Sequence, residues 1–296
     1  MSDAGAPNGD AAADPAPSGA DAGGTVMVAL SNPRTERALV TLAAALAEAR
    51  DGTVLAAHVV QVPDQTALEA AAENERLLAE SERLLADARA DAEAYGVAVE
   101  TKTVLSHRGL EEVFDAARTY DADALVMGYG GARLAGGRAE GALEELTHDL
   151  PCDVLVLNGR TFDPSKVLVP TAGGYSSDLS AEVARALRDV AGAAVSVLYV
   201  AGEDETDARA FVESWAAEHG LADAEILLET GDVEASIERA AGDATLVVVG
   251  ATERGLLSRI VRGSLAFSVL EELETPVLLA ERPSDRSLLE RLFARR

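Results

Sequence analysis

Short apolar runs alternate along the chain with longer segments whose apolar residues recur at helical spacing. The run "TVMVAL" (25–30) lacks the polar alternation of a half-solvated strand and reads as a strand buried on both faces. "TERALVTLAAALAEAR" (35–50) then carries the three-and-four spacing of an amphipathic helix. Further strands are predicted at 53–62, 97–105, 124–128 and 154–158, and further helices at 66–95, 109–120 and 141–150. The Glu/Arg spacing of the long helix over 66–95 predicts a solvated face laced with i,i+4 ion pairs.

After residue 165 the order repeats. Strands at 166–171, 194–200, 224–230, 245–250 and 277–280 alternate with helices at about 178–191, 205–219 and 233–241 and one starting at 264. Gly128 and Gly250 stand 122 positions apart, as do Gly141 and Gly263. The first strands, at Val26 and Val167, are 141 apart, and the longer second helix of the first half supplies most of the difference. This alternation predicts an α/β fold of two tandem Rossmann-like, doubly wound domains. Each is a five-stranded parallel sheet, order 3-2-1-4-5, with helices on both faces. The predicted organisation is a disordered leader over 1–24, a first domain over 25–158, a linker over 159–165, a second domain over 166–281 and a basic amphipathic tail over 282–296.

Charge narrows the partners. Across 296 residues, 51 acidic side chains face 25 basic ones, a net charge of −26. Such a chain repels phosphate backbones, which argues against nucleic acid as a general partner. Only Lys102 and Lys166 are lysines, and the other basic residues are arginines. Acid-rich, lysine-poor composition suits solubility under strong salt screening, so a halophilic protein is expected. The apolar runs are too short to span a bilayer, and the N-terminus lacks the pattern of a signal peptide, so a cytoplasmic location is expected. The lone Cys152 reads as a small buried residue beside Pro151. His58, His107, His148 and His219 have no ligand-like spacing, and no metal site is supported.

The candidate chemistry lies in two matching glycine loops. "GYGG" (128–131) closes the fourth strand, and nine residues later Gly141-Ala142 opens a helix. Glycines let backbone N–H groups approach an anion, and a helix start adds free N–H groups and a positive dipole end. The spacing therefore points to phosphate, although the lysine-bearing P-loop pattern is absent. In the second half Gly250 closes the strand and Gly263-Ser264 opens the helix, but Glu253 holds the middle glycine position.

On these motifs the two repeats resemble tandem universal stress protein domains over nearly all of 25–281, and "VALSNPRTERAL" and "VPTAGG" look most like haloarchaeal versions. The resemblance implies ATP or AMP as ligand. It implies Met127, Gly128, Gly131, Gly141 and Ala142 around phosphate and ribose in the first domain, with Gly250, Gly263 and Ser264 at the matching positions of the second. It sets the ends of the second strands, His58–Val59 and Tyr199–Val200, against adenine. ATP-binding relatives end the first strand with Val-Asp; here Leu30 and Thr171 stand near that position, and Asn32 is the candidate replacement. Ala142 lacks the loop hydroxyl and Glu253 opposes phosphate, so the first domain is the better candidate for nucleotide. The family also implies an intramolecular pseudo-dimer with the fifth strands side by side, and a possible membrane transporter as partner.

Three function classes follow. The first is a nucleotide-responsive regulatory binding protein of stress response. The second is a nucleotide-independent module partnering a membrane amino-acid or cation transporter. The third, an enzyme, ranks lowest: no catalytic residue is identified, for want of a carboxylate pair or general base near the glycine loops.

Overall fold

The structure, a computed structural model, describes residues 23–31, 33–128, 150–159, 162–173, 177–202, 205–250 and 273–283. The first half comprises β1 (Thr25–Leu30), α1 (Pro33–Ala49), β2 (Thr53–Gln61), α2 (Leu68–Ala72), α3 (Glu75–Glu93), β3 (Ala98–Ser106), α4 (Leu110–Thr119), β4 (Ala124–Gly128) and β5 (Asp153–Asn158). The second comprises β6 (Lys166–Thr171), α5 (Asp178–Ala191), β7 (Ala194–Ala201), α6 (Ala208–Glu218), β8 (Glu225–Thr230), α7 (Val233–Ala241), β9 (Leu246–Gly250) and β10 (Val277–Glu281). The predicted leader through residue 22, both glycine loops with the helices predicted to follow them, and the predicted tail from residue 284 lie outside the described residues.

All ten strands form one sheet, in the order β3-β2-β1-β4-β5-β10-β9-β6-β7-β8. Each half therefore has the order 3-2-1-4-5 expected from the alternation of strands and helices. Pairing is parallel within each half and antiparallel only between β5 and β10. The carboxyl ends of the two sets of strands consequently point to opposite edges of the sheet.

Side-chain alternation divides the core into two layers, one on each face. Val26, Val28 and Leu30 of β1 join α1, α3, α5 and α6 on one face, while Met27 joins α4 on the other. The same division runs through β6, where Val167 and Val169 face the first layer and Leu168 the second. Both layers cross the junction without a break. The β5–β10 register sets Leu157 opposite Leu278 and Leu155 opposite Ala280 in the first layer, and Val156 opposite Leu279 in the second.

Helix α1 is buried on more than one side, because it packs on the sheet, on α3 and on α5 of the other half. Its run from Leu42 to Ala47 is buried at every position, and the alanines allow this close approach. One expectation is corrected here. The predicted helix over 66–95 is two helices, α2 and α3, separated at Asn74. Asn74 is extended (φ −79°, ψ 99°), and its side chain accepts the Leu77 N–H at 3.2 Å. That N-cap starts a new helix where the Ala/Glu composition alone suggested continuity. The i,i+4 pairing expected of this segment is present in α3, between Arg76 and Glu80. Among the described residues no helix is long and apolar enough to cross a membrane.

An ionic cluster rivets the two halves beside β5 and β10. Arg50, just after α1, donates to Glu182 of α5 at 2.8 Å and to Asp153 at 3.1 Å. Arg282, just after β10, donates to Asp153 at 3.0 and 3.1 Å and to Glu182 at 2.8 Å. Desolvation pushes the Glu182 carboxyl upward, but Arg50 and Arg282 outweigh it and hold it below the ordinary glutamate range. The contribution of Glu182 is therefore complete above its unfolded pKa and is lost as the pH falls through the lower folded value. Arg282→Ala leaves both carboxylates with one cation between them. The expected loss is about 1–3 kcal/mol, read as a lower denaturant midpoint. The exposed pair partner Arg76→Ala should cost under about 0.5 kcal/mol in the same assay.

Candidate functional site

Doubly wound sheets bind ligands beyond the carboxyl ends of their strands, where strand order reverses. In the first half that point lies at the ends of β1 and β4. The register pairs Ala29 with Met127, and Leu30 with His58 on the other side. Leu30, Met127, Gly128 and the His58–Val59 pair thus share one rim. Leu30 is 1 % exposed and belongs to the first core layer, so it serves packing there. Val59 and Met127 lean toward the second layer. Asn32, Gly131, Gly141, Ala142, Gly263 and Ser264 lie outside the described residues.

Gly128 sits against the first turns of α1. A Cβ there would stand 3.6 Å from Leu39 Cδ1 and 3.9 Å from Thr35 Oγ1, ordinary contact distances. Among the described residues, side-chain packing does not demand a glycine at this position. What the glycine supplies is a strand-end backbone without a Cβ, beside a helix that begins at Pro33.

His58 heads a polar chain under α3. Its Nδ1 lies 2.9 Å from Ser81 Oγ, which lies 2.6 Å from Thr103 Oγ1. Burial holds the imidazole pKa below the ordinary histidine value, against the opposing pull of Glu80. A Ser–His pair suggests a nucleophile, but Ser81 is 1 % exposed and its hydroxyl cannot meet a substrate. The chain of hydroxyls fixes the strand end instead. Cys152 is buried as expected; desolvation, with Asp153 and Asp123 nearby, pushes its thiol up to about 12 and makes it unreactive. Among the described residues no group of three or more His, Cys, Asp or Glu side chains is placed to hold a metal ion.

The second rim holds Thr171, Tyr199, Val200 and Gly250, with Thr171 paired to Tyr199. Here the chain after β6 turns through Gly173, whose φ of +75° lies in the left-handed region. Its N–H donates to Thr171 Oγ1 at 3.0 Å. Phe211 and Tyr199 flank this turn with ring centroids 5.2 Å apart. No local pattern announces that aromatic pair, because the two rings belong to different elements.

Glu36, in the first turn of α1, is a further group that sequence reasoning passed over. It is 6 % exposed, and its Oε1 has no hydrogen-bond partner among the described residues. Desolvation, then Asp91 and Asp87, raise its pKa to about 7, against a smaller opposing pull from Arg37. An acid in the first turn of a helix normally reads as a favourable surface charge. Only the packing of α3 onto α1 turns this one into a buried carboxyl.

Together these features define a class: a doubly wound α/β protein built by tandem duplication, with a glycine-ended fourth strand at the rim of each half. The sequence matches the universal stress protein family over residues 24–158 and 203–281, and the chain belongs to that family. No curated protein matches it. Among solved structures, it is similar to a functionally unknown protein from Pseudomonas aeruginosa PAO1, with 19 % identity over 93 % of this chain and 98 % of that one and a TM-score of 0.60. It is likewise similar to a universal stress protein from Archaeoglobus fulgidus DSM 4304, with 16 % identity over 88 % and 97 % of the two chains and a TM-score of 0.57. The cytoplasmic domain of a prokaryotic cation chloride cotransporter shares the fold, with 12 % identity over 87 % and 95 % of the two chains and a TM-score of 0.56. At these identities the likeness concerns the fold.

The buried acid gives a pH test. A carboxyl whose folded pKa lies above its unfolded one binds more protons when folded, so stability falls as the pH rises between the two values, here from about 4.5 to about 7. Glu36→Gln removes that loss. The stability of the variant relative to the parent should rise by on the order of 2 kcal/mol between pH 5 and pH 8, measured by denaturant unfolding at each pH.

Proposed function

We propose that this protein is a nucleotide-responsive regulatory binding protein, with an adenine nucleotide of the ATP or AMP type held at the first rim. The observation that carries the reading is Gly128. It ends β4 at the point where strand order reverses, and among the described residues side-chain packing does not require a glycine there. In sequence it opens the Gly128, Gly131, Gly141 series, with Met127 before it and Ala142 after it. Backbone amides of that series, with the N-terminus of the helix that the sequence predicts from Gly141, bind the phosphates without a lysine. Val59 and Asn32 border the base and ribose. Binding shifts a conformational or association equilibrium, and no turnover is required.

A second reading is a nucleotide-independent module that docks to a membrane amino-acid or cation transporter. The observation favouring it is the shared fold with the cytoplasmic domain of a cation chloride cotransporter. The absence of an aspartate at Leu30 and Thr171 points the same way.

Isothermal calorimetry of the full chain in high salt separates the two. The first reading expects saturable heat with ATP or AMP. It also expects Gly141→Asp, which sets a carboxylate among the phosphate-facing amides, to weaken binding at least about tenfold, or ~1.4 kcal/mol. No heat with ATP, AMP or cyclic di-AMP overturns the first reading.

A further inference from the structure

Helix α3 is lightly held. It covers β2 and the edge strand β3 and leans on α1. Of its 19 residues only Ser81, Leu84, Leu85, Ala88 and Ala92 are buried, whereas α1 buries nine of 17. A serine and two alanines among those five bring little apolar area, so α3 stands at the low-stability end of the fold. Its polar ties to the sheet are the Ser81 contacts with His58 and Thr103, and Arg89, which donates to Thr101 Oγ1 at 3.0 Å.

The contact between α1 and α3 carries acid on both sides. Glu36 of α1 is buried with Oε1 unpartnered among the described residues. Asp87 and Asp91, four residues apart and so on one face of α3, act on it across the contact. The cation beside it is Arg37, whose Nε lies 3.9 Å from Asp91, but that side chain is 84 % exposed and its pull is screened. The strands under α1, β1 and β4, bring no titratable side chain. On α5, at the other side of α1, Glu182 is engaged by Arg50 and Arg282, and Arg188 by Asp189 and Asp223. An ionised Glu36 is therefore a buried charge without a partner, facing two more of its own sign. It gains water only if the contact opens.

We propose that α3 is a pH-gated flap: it lies closed on α1 while Glu36 is protonated and lifts as Glu36 ionises, with the rest of the sheet intact. The device needs no ligand and stands apart from the nucleotide reading. Its sign follows from the two titratable groups that α3 covers. Glu36, with a pKa of about 7 when buried against 4.5 in water, favours opening as the pH rises. His58 opposes it: burial lowers its pKa below 6.5, so opening lets it take up a proton, and acid favours opening through this group. Above 6.5 His58 is neutral in both states while Glu36 goes on ionising, so the flap opens toward alkaline pH. Lifting uncovers Leu84 and Leu85 and the parts of α1, β2 and β3 beneath them.

The test is native-state hydrogen exchange of the full chain at pH 5 to 8, corrected for the intrinsic pH dependence of amide exchange, on the parent and on Glu36→Gln. The ratio of their opening constants isolates Glu36, because His58 is common to both. For amides of α3 that ratio should rise roughly fiftyfold from pH 5 to pH 8. The same amides should open more often than those of β1 at every pH, through an event that low denaturant does not accelerate. A ratio that stays flat with pH overturns the proposal. So do α3 amides that exchange only together with those of β1, since the pH effect would then belong to the whole fold. If Glu36→Gln does not fold, Asp91→Asn takes its place. Removing that facing carboxylate should move the onset of α3 opening to lower pH, and an onset that stays put overturns the proposal.

Discussion

Where β5 and β10 run side by side, two five-stranded sheets that would each end in an exposed edge become one sheet of ten strands. An unpaired apolar edge is a template for association, and here each half covers the other's. The pairing does more than satisfy backbone groups. It aligns Leu155, Leu157, Leu278 and Ala280 on one face and Val156 and Leu279 on the other, so both core layers run through the junction. It also brings α1 against α5, and Arg50 and Arg282 against Asp153 and Glu182. In a chain with a net charge of −26, placing two arginines between two carboxylates at the seam offsets repulsion where the halves meet.

The antiparallel junction has a consequence for function. It sends the two rims to opposite edges of the sheet, so one small ligand cannot bridge them. Each rim is built by its own half, and each is free to diverge. The first rim has a glycine at the strand end and a polar chain of His58, Ser81 and Thr103. The second carries an aromatic ring laid on Gly173. Helices α1 and α5, each following the first strand of its half, are in contact across the shared layer.

Much of the fold was legible because it rests on local patterns. The all-apolar runs at β1 and β6 announce strands buried on both faces, and the matched spacings of Gly128 with Gly250 and of Gly141 with Gly263 announce the duplication. The break at Asn74 was also written locally, as an asparagine three residues before the leucine whose N–H it caps, but the helix-forming composition on either side obscured it. The rest depends on residues far apart in sequence. Arg50 and Arg282 lie 103 and 129 residues from Asp153, and no window of sequence joins them. Glu36 reads as a helix-start surface acid until α3 covers it. Phe211 reads as one apolar position of a short helix, and only the turn at Gly173 gives its ring a place. Of the site residues implied by the family resemblance, Met127, Gly128, Val59, Val200 and Gly250 fall near the carboxyl ends of their strands, and the remainder lie outside the described residues.

The two halves form a single folded unit across one seam. Native-state hydrogen exchange of the backbone amides reads this directly. If the seam is the keystone, amides of β5 and β10 are as strongly protected as those of β1 and β6, and all four exchange through one common opening. Earlier exchange of β5 and β10, with β1 and β6 opening at separate free energies, would mean two independent domains in loose contact and would contradict it.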